Sequence, residues 1–139
     1  MSDRNEFGDE LFDLLAKVLN STANREVFDS IRGEYGLLWH LATIGRPVSV
    51  GELAEYMQVV PGRMTDILKN LEKKGFVLRH RSEEDKRIVM VSLLEKGKEE
   101  AMRRRQYIHE KFKGINEVFS LDEQKELIHL LNMLLTFTK

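Results

Sequence analysis

Apolar residues recur at helical spacing near the start of the chain. Their period of three and four residues predicts a first amphipathic helix over about 6–22, carried by Phe7, Leu11, Leu14, Leu15, Val18 and Leu19. Residues 24–33 are polar, and a short helix or a loop that ends at Gly33 is expected there. The next stretch, EYGLLWHLATI at 34–44, is apolar nearly all round, which predicts a buried helix that ends at Gly45 and Pro47.

Two shorter helical patterns follow in close succession. Ser49 and Glu52 have the spacing of a capping box, which predicts a helix over about 50–57. Pro61 suits the first position of a helix, so a second helix is expected over about 61–74, ending before Gly75. Its apolar stripe consists of Met64, Ile67, Leu68 and Leu71.

The pattern then changes to that of strands. Residues 76–81 alternate, residues 88–94 are rich in β-branched side chains, and the polar stretch SEEDKR between them is typical of a turn. These features predict a β-hairpin. A long helix is expected over about 95–118, and a second capping box, Ser120 with Glu123, predicts a last helix that reaches about Phe137.

The order of these elements indicates a winged helix-turn-helix. The predicted fold class is mainly α with a small β-hairpin wing (α+β), flanked by N- and C-terminal dimerisation helices. We expect an N-terminal helical segment at 1–33, a DNA-binding lobe at 34–97 and C-terminal dimerisation helices at 98–139. The last helix is apolar on several faces, which favours burial in a homodimer over ordinary packing within one domain.

Composition narrows the possible functions. The chain has 139 residues, 42% hydrophobic and 32% charged, with a net charge of −1 and no cysteine. The lack of cysteine excludes disulfides and thiol-based sensing within these residues and fits a cytoplasmic protein. No segment predicts a signal peptide or a membrane span, so no membrane partner is expected. Residues 61–81 hold six Lys and Arg against two Asp and Glu, a local charge of +4, which predicts double-stranded DNA as a partner, although exposed helices also carry Lys for solubility.

The second helix of the motif can present side chains to a major groove, where base edges are read. We expect base or phosphate contacts from the helix and the hairpin, with Lys69, Lys73 and Lys74 on phosphates. The hairpin tip is expected to approach the neighbouring minor groove. The predicted DNA-binding residues are Arg63, Thr65, Asp66, Lys69, Asn70, Lys73, Arg79, Arg81, Asp85, Lys86 and Arg87.

Three segments of the sequence resemble the MarR family of transcriptional regulators: ELAEYMQVVPGRMTDILKNLEKKGFVLR, then Asp85-Lys86-Arg87 followed by VMVSLLEKG, and SLDEQKELIHLLNMLL. The resemblance implies a homodimer on a palindromic operator, with Arg87 in the minor groove and Asp85 orienting it. It also implies a repressor released by a small-molecule effector. Phe12, Trp39 and His40 could line a pocket for such a ligand, although side chains of this kind more often belong to the core.

The sequence departs from the family pattern at three positions. Val60 stands where a Ser is frequent, Asp66 where an Arg is frequent, and Leu94 where a Thr is usual. An acid facing phosphates is unfavourable unless it reads a cytosine amino group. Asp66 and the near-neutral charge therefore motivate an alternative, a winged-helix module for protein contacts with weak or lost DNA binding.

No pattern in the sequence indicates catalysis or a cofactor. The four histidines, His40, His80, His109 and His129, have no zinc-site spacing, so no metal is expected. The acidic run Glu83-Glu84-Asp85 is more typical of a solvated turn than of a cation site. We find no nucleophile motif and no Gly-rich phosphate loop, so the chain is not expected to be an enzyme.

Overall fold

The computed structural model describes residues 2–22, 24–26, 29 and 33–137, with side chains from residue 6 onward. Half of the polar segment 24–33 therefore lies outside the described residues, and with it the predicted short helix or loop. The elements are α1 (Ser2–Asn20), α2 (Glu34–Ile44), β1 (Val48–Ser49), α3 (Val50–Met57), α4 (Pro61–Lys73), β2 (Val77–Arg81), β3 (Val89–Leu93), α5 (Glu95–Phe112), α6 (Ile115–Val118) and α7 (Leu121–Phe137). The predicted fold class is confirmed.

Local sequence signals set most of these boundaries. The Ser49 side chain accepts the Glu52 backbone N–H at 3.1 Å and starts α3. At α7 the capping box is complete, because the Ser120 N–H donates to the Glu123 carboxylate at 2.9 Å while the Glu123 N–H donates to Ser120 Oγ at 3.2 Å. These bonds hold the pKa of Glu123 below its usual value. Both predicted starts are confirmed.

The hairpin strands belong to a three-stranded antiparallel sheet in the order β1-β3-β2. Val77 pairs with Leu93 and Arg81 with Val89 across the hairpin, while Val48 pairs with Val91 on the other side of β3. The sequence predicted two strands here. A strand of two residues is too short to show a period, so β1 could not be recognised from the pattern.

The predicted long helix is shorter than expected. It ends at Phe112, and a separate turn of helix, α6, begins after Gly114. The expectation of one continuous helix to residue 118 is therefore wrong. Gly114 offers the cause, because glycine has the greatest backbone freedom to lose and is unfavourable inside a helix.

The chain forms two compact units, Met1–Arg104 and Arg105–Lys139. The core of the first unit lies between helices α2, α3 and α4 and the three-stranded sheet. We call these elements the central lobe. Its fully buried side chains include Leu37, Leu38, Leu41, Val48, Leu53, Met64, Leu68, Leu71, Val77 and Val91. This shared core fixes α4 relative to the hairpin. The three-part division made from the sequence remains a prediction.

Candidate nucleic-acid interface

Helix α4 is anchored by one face and presents the other to solvent. Met64, Leu68 and Leu71 are buried in the core. The opposite face carries five exposed side chains that were predicted to contact DNA, Arg63, Asp66, Lys69, Asn70 and Lys73. Thr65 is half-buried, and its hydroxyl donates to the Pro61 carbonyl at 3.1 Å. The helix therefore has the arrangement that major-groove reading requires: an apolar anchor behind and polar side chains in front.

The start of α4 is left open. Val60 is the N-cap in an extended conformation, and no side chain caps the helix there. Pro61 occupies the first turn, as predicted, and supplies the helical φ without an N–H of its own. Unsatisfied N–H groups and the positive end of the helix dipole favour an anion at such an end.

The hairpin tip, which we call the wing tip (residues 82–88), orients one arginine. The Arg87 guanidinium donates twice to Asp85, from Nε to Oδ1 and from Nη2 to Oδ2, each at 3.0 Å. The Arg87 backbone N–H also donates to Oδ1 at 3.1 Å. The Arg87 side chain is 90% exposed nonetheless. The guanidinium is thus held in one direction while remaining accessible.

This pair also shifts the titration of both groups. The Arg87 side-chain bonds, followed by its backbone bond, hold the pKa of Asp85 below its usual value. The same carboxylate raises the pKa of Arg87. Both groups therefore stay charged across the physiological pH range.

Backbone bonds define the loop that carries the pair. The Ser82 N–H donates to the Ile88 carbonyl at 2.9 Å, and the Ile88 N–H donates back to the Asp85 carbonyl at 3.0 Å. Arg81 Nη1 donates to the Lys86 carbonyl at 3.1 Å. Arg81 therefore supports the wing tip from within, which is a use of this side chain that the sequence did not reveal.

Arg79 is held against the protein, not extended toward solvent. It lies on the same side of β2 as the buried Val77, since alternate residues of a strand share a face. Glu72 of α4 accepts the Arg79 backbone N–H at 2.8 Å and its Nη2 at 3.3 Å. That backbone bond is the main reason that the pKa of Glu72 lies below its usual value. The predicted DNA contact of Arg79 therefore has to compete with a bond that joins the wing to α4.

Lys74, expected on a phosphate, is engaged elsewhere. Its Nζ lies 2.9 Å from Glu34 at the start of α2, and Arg104 of α5 lies 3.7 Å from the same carboxylate. Arg104 also contacts Glu100 at 3.1 Å, and Arg103 contacts Glu100 as well. Burial raises the pKa of Glu100, but the bonds from Arg103 and Arg104 outweigh burial and hold that pKa below its usual value. The cluster ties the end of α4 to α2 and α5.

The predicted ligand-pocket residues have diverse surroundings. Phe12 is 72% exposed on α1. Trp39 is half-buried against the lobe core and stacks on Tyr35, with ring centroids 6.2 Å apart. His40 stacks on Tyr56 at 3.6 Å, and burial lowers the pKa of His40 while Glu52 partly opposes that shift. Their joint role in a pocket remains a prediction.

The described residues contain neither a candidate metal site nor a candidate membrane span. Within those ranges, no cluster of three or more His, Cys, Asp or Glu side chains has a geometry that could hold a metal ion. Over the same ranges, no helix combines the length and the apolar character needed to span a bilayer.

Helix α3, the turn after Met57, helix α4 and the β2–β3 hairpin together define a winged helix-turn-helix protein. The sequence model of the MarR family matches residues 32–89, which include α2, α3, α4, β2 and the wing tip up to the start of β3. Over this region the chain is similar to the MarR family of winged-helix transcriptional regulators.

Relatives of known name support the assignment. The chain is 39% identical over 61 residues to the organic hydroperoxide resistance transcriptional regulator of Bacillus subtilis, an overlap of 44% of this chain and 39% of that protein. It is 36% identical over 87 residues to the uncharacterized HTH-type transcriptional regulator YfiV of the same species, covering 63% of this chain and 54% of the relative. The matched region thus spans only about two fifths to one half of these two relatives.

A solved structure extends the likeness to a DNA complex. A mutant MarR from E. coli, crystallised with operator DNA, superposes with a TM-score of 0.62 at 25% identity over 73% of each chain. In that protein the fold is seen on its operator.

Proposed function

We propose that the chain binds double-stranded DNA as a homodimer and thereby regulates transcription. One observation supports this proposal most directly: a single compact unit presents both the outward face of α4 and the exposed Arg87 guanidinium, which Asp85 holds by two hydrogen bonds. A helix with polar outward side chains matches the major groove. An oriented arginine on a hairpin matches the narrow minor groove, where the negative potential is strongest.

The exposed apolar side chains of the two terminal helices, each considered alone, support the proposed dimer. In α1, Phe7 and Phe12 are 67% and 72% exposed, and in α7, Leu121, Ile128 and Phe137 are 66%, 61% and 83% exposed. Apolar side chains in such numbers on one helix are unfavourable in water and mark a surface that another chain covers. A second copy of the chain meets this need and places two α4 helices on two half-sites of a palindromic operator.

The remaining proposals concern regulation. We propose that the protein is a repressor and that a small molecule releases it from DNA, with Phe12, Trp39 and His40 near the effector. These 139 residues contain no cysteine, so the proposed release does not use thiol oxidation within them. The proposed site of action is the cytoplasm, beside the DNA.

A gel shift of the full chain with the DNA upstream of its own gene tests DNA binding. We expect a shift that weakens steeply with salt, because phosphate contacts release counterions. Arg87→Ala should abolish or strongly reduce it. Glu84→Ala, a neighbour in the wing tip whose side chain no bond engages within the described residues, is the matched control and should retain it. Absence of binding at low salt to any native promoter fragment would instead favour the protein-contact module.

A further inference from the structure

Asp66 stands in the middle of the outward face of α4. At 3.6 residues per turn, each residue advances about 100° around the helix, so Asp66 lies about 190° from the centre of the stripe formed by Met64, Leu68 and Leu71. That stripe is fully buried and Asp66 is exposed. Any surface that meets α4 face-on therefore meets this carboxylate.

The carboxylate has no internal partner. Among the described residues, no hydrogen bond or ion pair engages the Asp66 side chain, although Lys69, Asn70 and Lys73 border the same shallow groove. The neighbouring acids differ in this respect. Glu72 is bound by Arg79, and Asp85 by Arg87. Asp66 is thus free to accept hydrogen bonds from a ligand.

The chemistry of the major groove selects what such a carboxylate can accept from. Phosphates repel it, and guanine and thymine present acceptors at their edges. Adenine presents an amino group beside the N7 acceptor, which also repels a carboxylate. Cytosine presents only the N4 amino donor. A carboxylate on a groove-facing helix therefore has one well-matched base.

We propose that Asp66 is a specificity-determining residue that accepts a hydrogen bond from the N4 amino group of one cytosine in each half-site. This inference rests on the proposed DNA binding. At every other sequence the unpaired carboxylate faces phosphates and acceptor edges, so it weakens non-specific binding while it favours the correct site. Asp66 therefore widens the ratio of specific to non-specific affinity.

The test begins by selecting preferred sequences from a random duplex library with the full-length wild-type chain. Each cytosine of the selected half-site is then replaced by the 2-pyrimidinone nucleotide, which lacks the N4 amino group. Binding is measured for wild type, Asp66→Ala and the charge-matched control Glu84→Ala. Alanine is favourable on an exposed helix, so the Asp66 variant should fold.

We expect wild type to lose affinity on the order of tenfold at one cytosine per half-site, the scale of one base contact. Asp66→Ala should lose nothing further at that position and should bind random DNA at least as tightly as wild type. Glu84→Ala should retain the wild-type loss. The weakened base pair of the analogue is common to all three proteins, so it cancels in the comparison.

An equal loss in wild type and Asp66→Ala at every cytosine would overturn the assignment of Asp66 and leave the proposed DNA binding intact. A library from which the full chain retains no duplex would overturn both.

Discussion

The central lobe and the terminal helices handle apolar residues in opposite ways. In the lobe, Leu37, Leu53 and Leu68 have no exposed surface, whereas in α7 Ile128 is 61% and Phe137 is 83% exposed. Several charges of the lobe are also paired between elements, as Glu72 is with Arg79 and Glu34 with Lys74. The lobe thus buries its apolar side chains within one chain, whereas the terminal helices leave many of theirs exposed. The proposed dimer would cover these exposed side chains.

The largest expected effect that tests this contrast is dissociation of the proposed dimer. Ile128→Glu places a carboxylate on the apolar side of α7, where a partner chain should cover it. Burying an unpaired charge costs on the order of 3–5 kcal/mol, so the dimer should dissociate at concentrations at which wild type remains associated. Sedimentation velocity across a dilution series measures this.

His129→Glu serves as the control for that experiment, because residue 129 lies on the polar stripe of α7 with Lys125 and Asn132. It adds the same charge and should leave the dimer intact. Wild-type association of the Ile128 variant would show that this face of α7 remains in solvent, and the contrast between the regions would fail.

The next effect concerns the packing of the lobe. A Cβ on Gly97 would lie 2.2 Å from the Phe76 carbonyl oxygen and 2.9 Å from Leu93 Cδ1. Backbone cannot yield as a flexible side chain can, so Gly97→Ala should destabilise the protein by about 1–3 kcal/mol or more. Urea unfolding measures the change. Gly51→Ala, whose added Cβ meets only Ser49 Oγ at 4.0 Å, should be neutral or slightly stabilising.

If Gly97→Ala unfolded at the wild-type urea concentration, the proposed close packing of α5 against Phe76 and Leu93 would be contradicted. The lobe would then no longer be the closely packed region of the pair.

Glu72 joins the wing to α4, and its removal should have a smaller effect. Glu72→Ala leaves the half-buried Arg79 guanidinium and its backbone N–H without their carboxylate. Losing partners of this kind costs about 1–3 kcal/mol. We expect a lower urea midpoint together with faster amide exchange in β2. Glu83→Ala, at the exposed wing tip, should change neither.

The same carboxylate predicts a pH dependence with a definite sign. Its folded-state pKa is lowered from 4.5, chiefly by the Arg79 backbone bond. Its contribution to stability is therefore fully present above the unfolded-state pKa and lost as pH falls through the lower, folded-state value. The stability difference between wild type and Glu72→Ala should shrink over that acidic range. A difference that stays constant with pH would contradict the assigned role of the charge.

These cases show what the sequence could predict. Ser49, Pro61 and Ser120 act on their own helix ends, so their effect can be seen in a few neighbouring residues. Arg79 and Lys74 look like free cations in the sequence, but Glu72 and Glu34 reach them only after the chain has folded. Their partners lie 7 and 40 residues away. Charge at a position is visible in the sequence, and whether that charge is already engaged is not.

The smallest expected effect separates function from stability at the wing tip. Asp85→Asn removes the charge that holds Arg87 while keeping a polar side chain in the turn. Arg87 is 90% exposed, and the half-buried Asp85 also lies outside the core, so the urea midpoint should move little. DNA binding should weaken by a few-fold, because the guanidinium must then be ordered on binding. The loss should be smaller than that of Arg87→Ala, since the arginine itself remains.

Fluorescence anisotropy with one labelled duplex compares wild type, Asp85→Asn, Arg87→Ala and the double variant. Because Asp85 is proposed to act only through Arg87, the double variant should bind as Arg87→Ala does. Additive losses would mean that Asp85 acts on DNA or on the turn independently of Arg87. The backbone bonds alone would then order the wing tip.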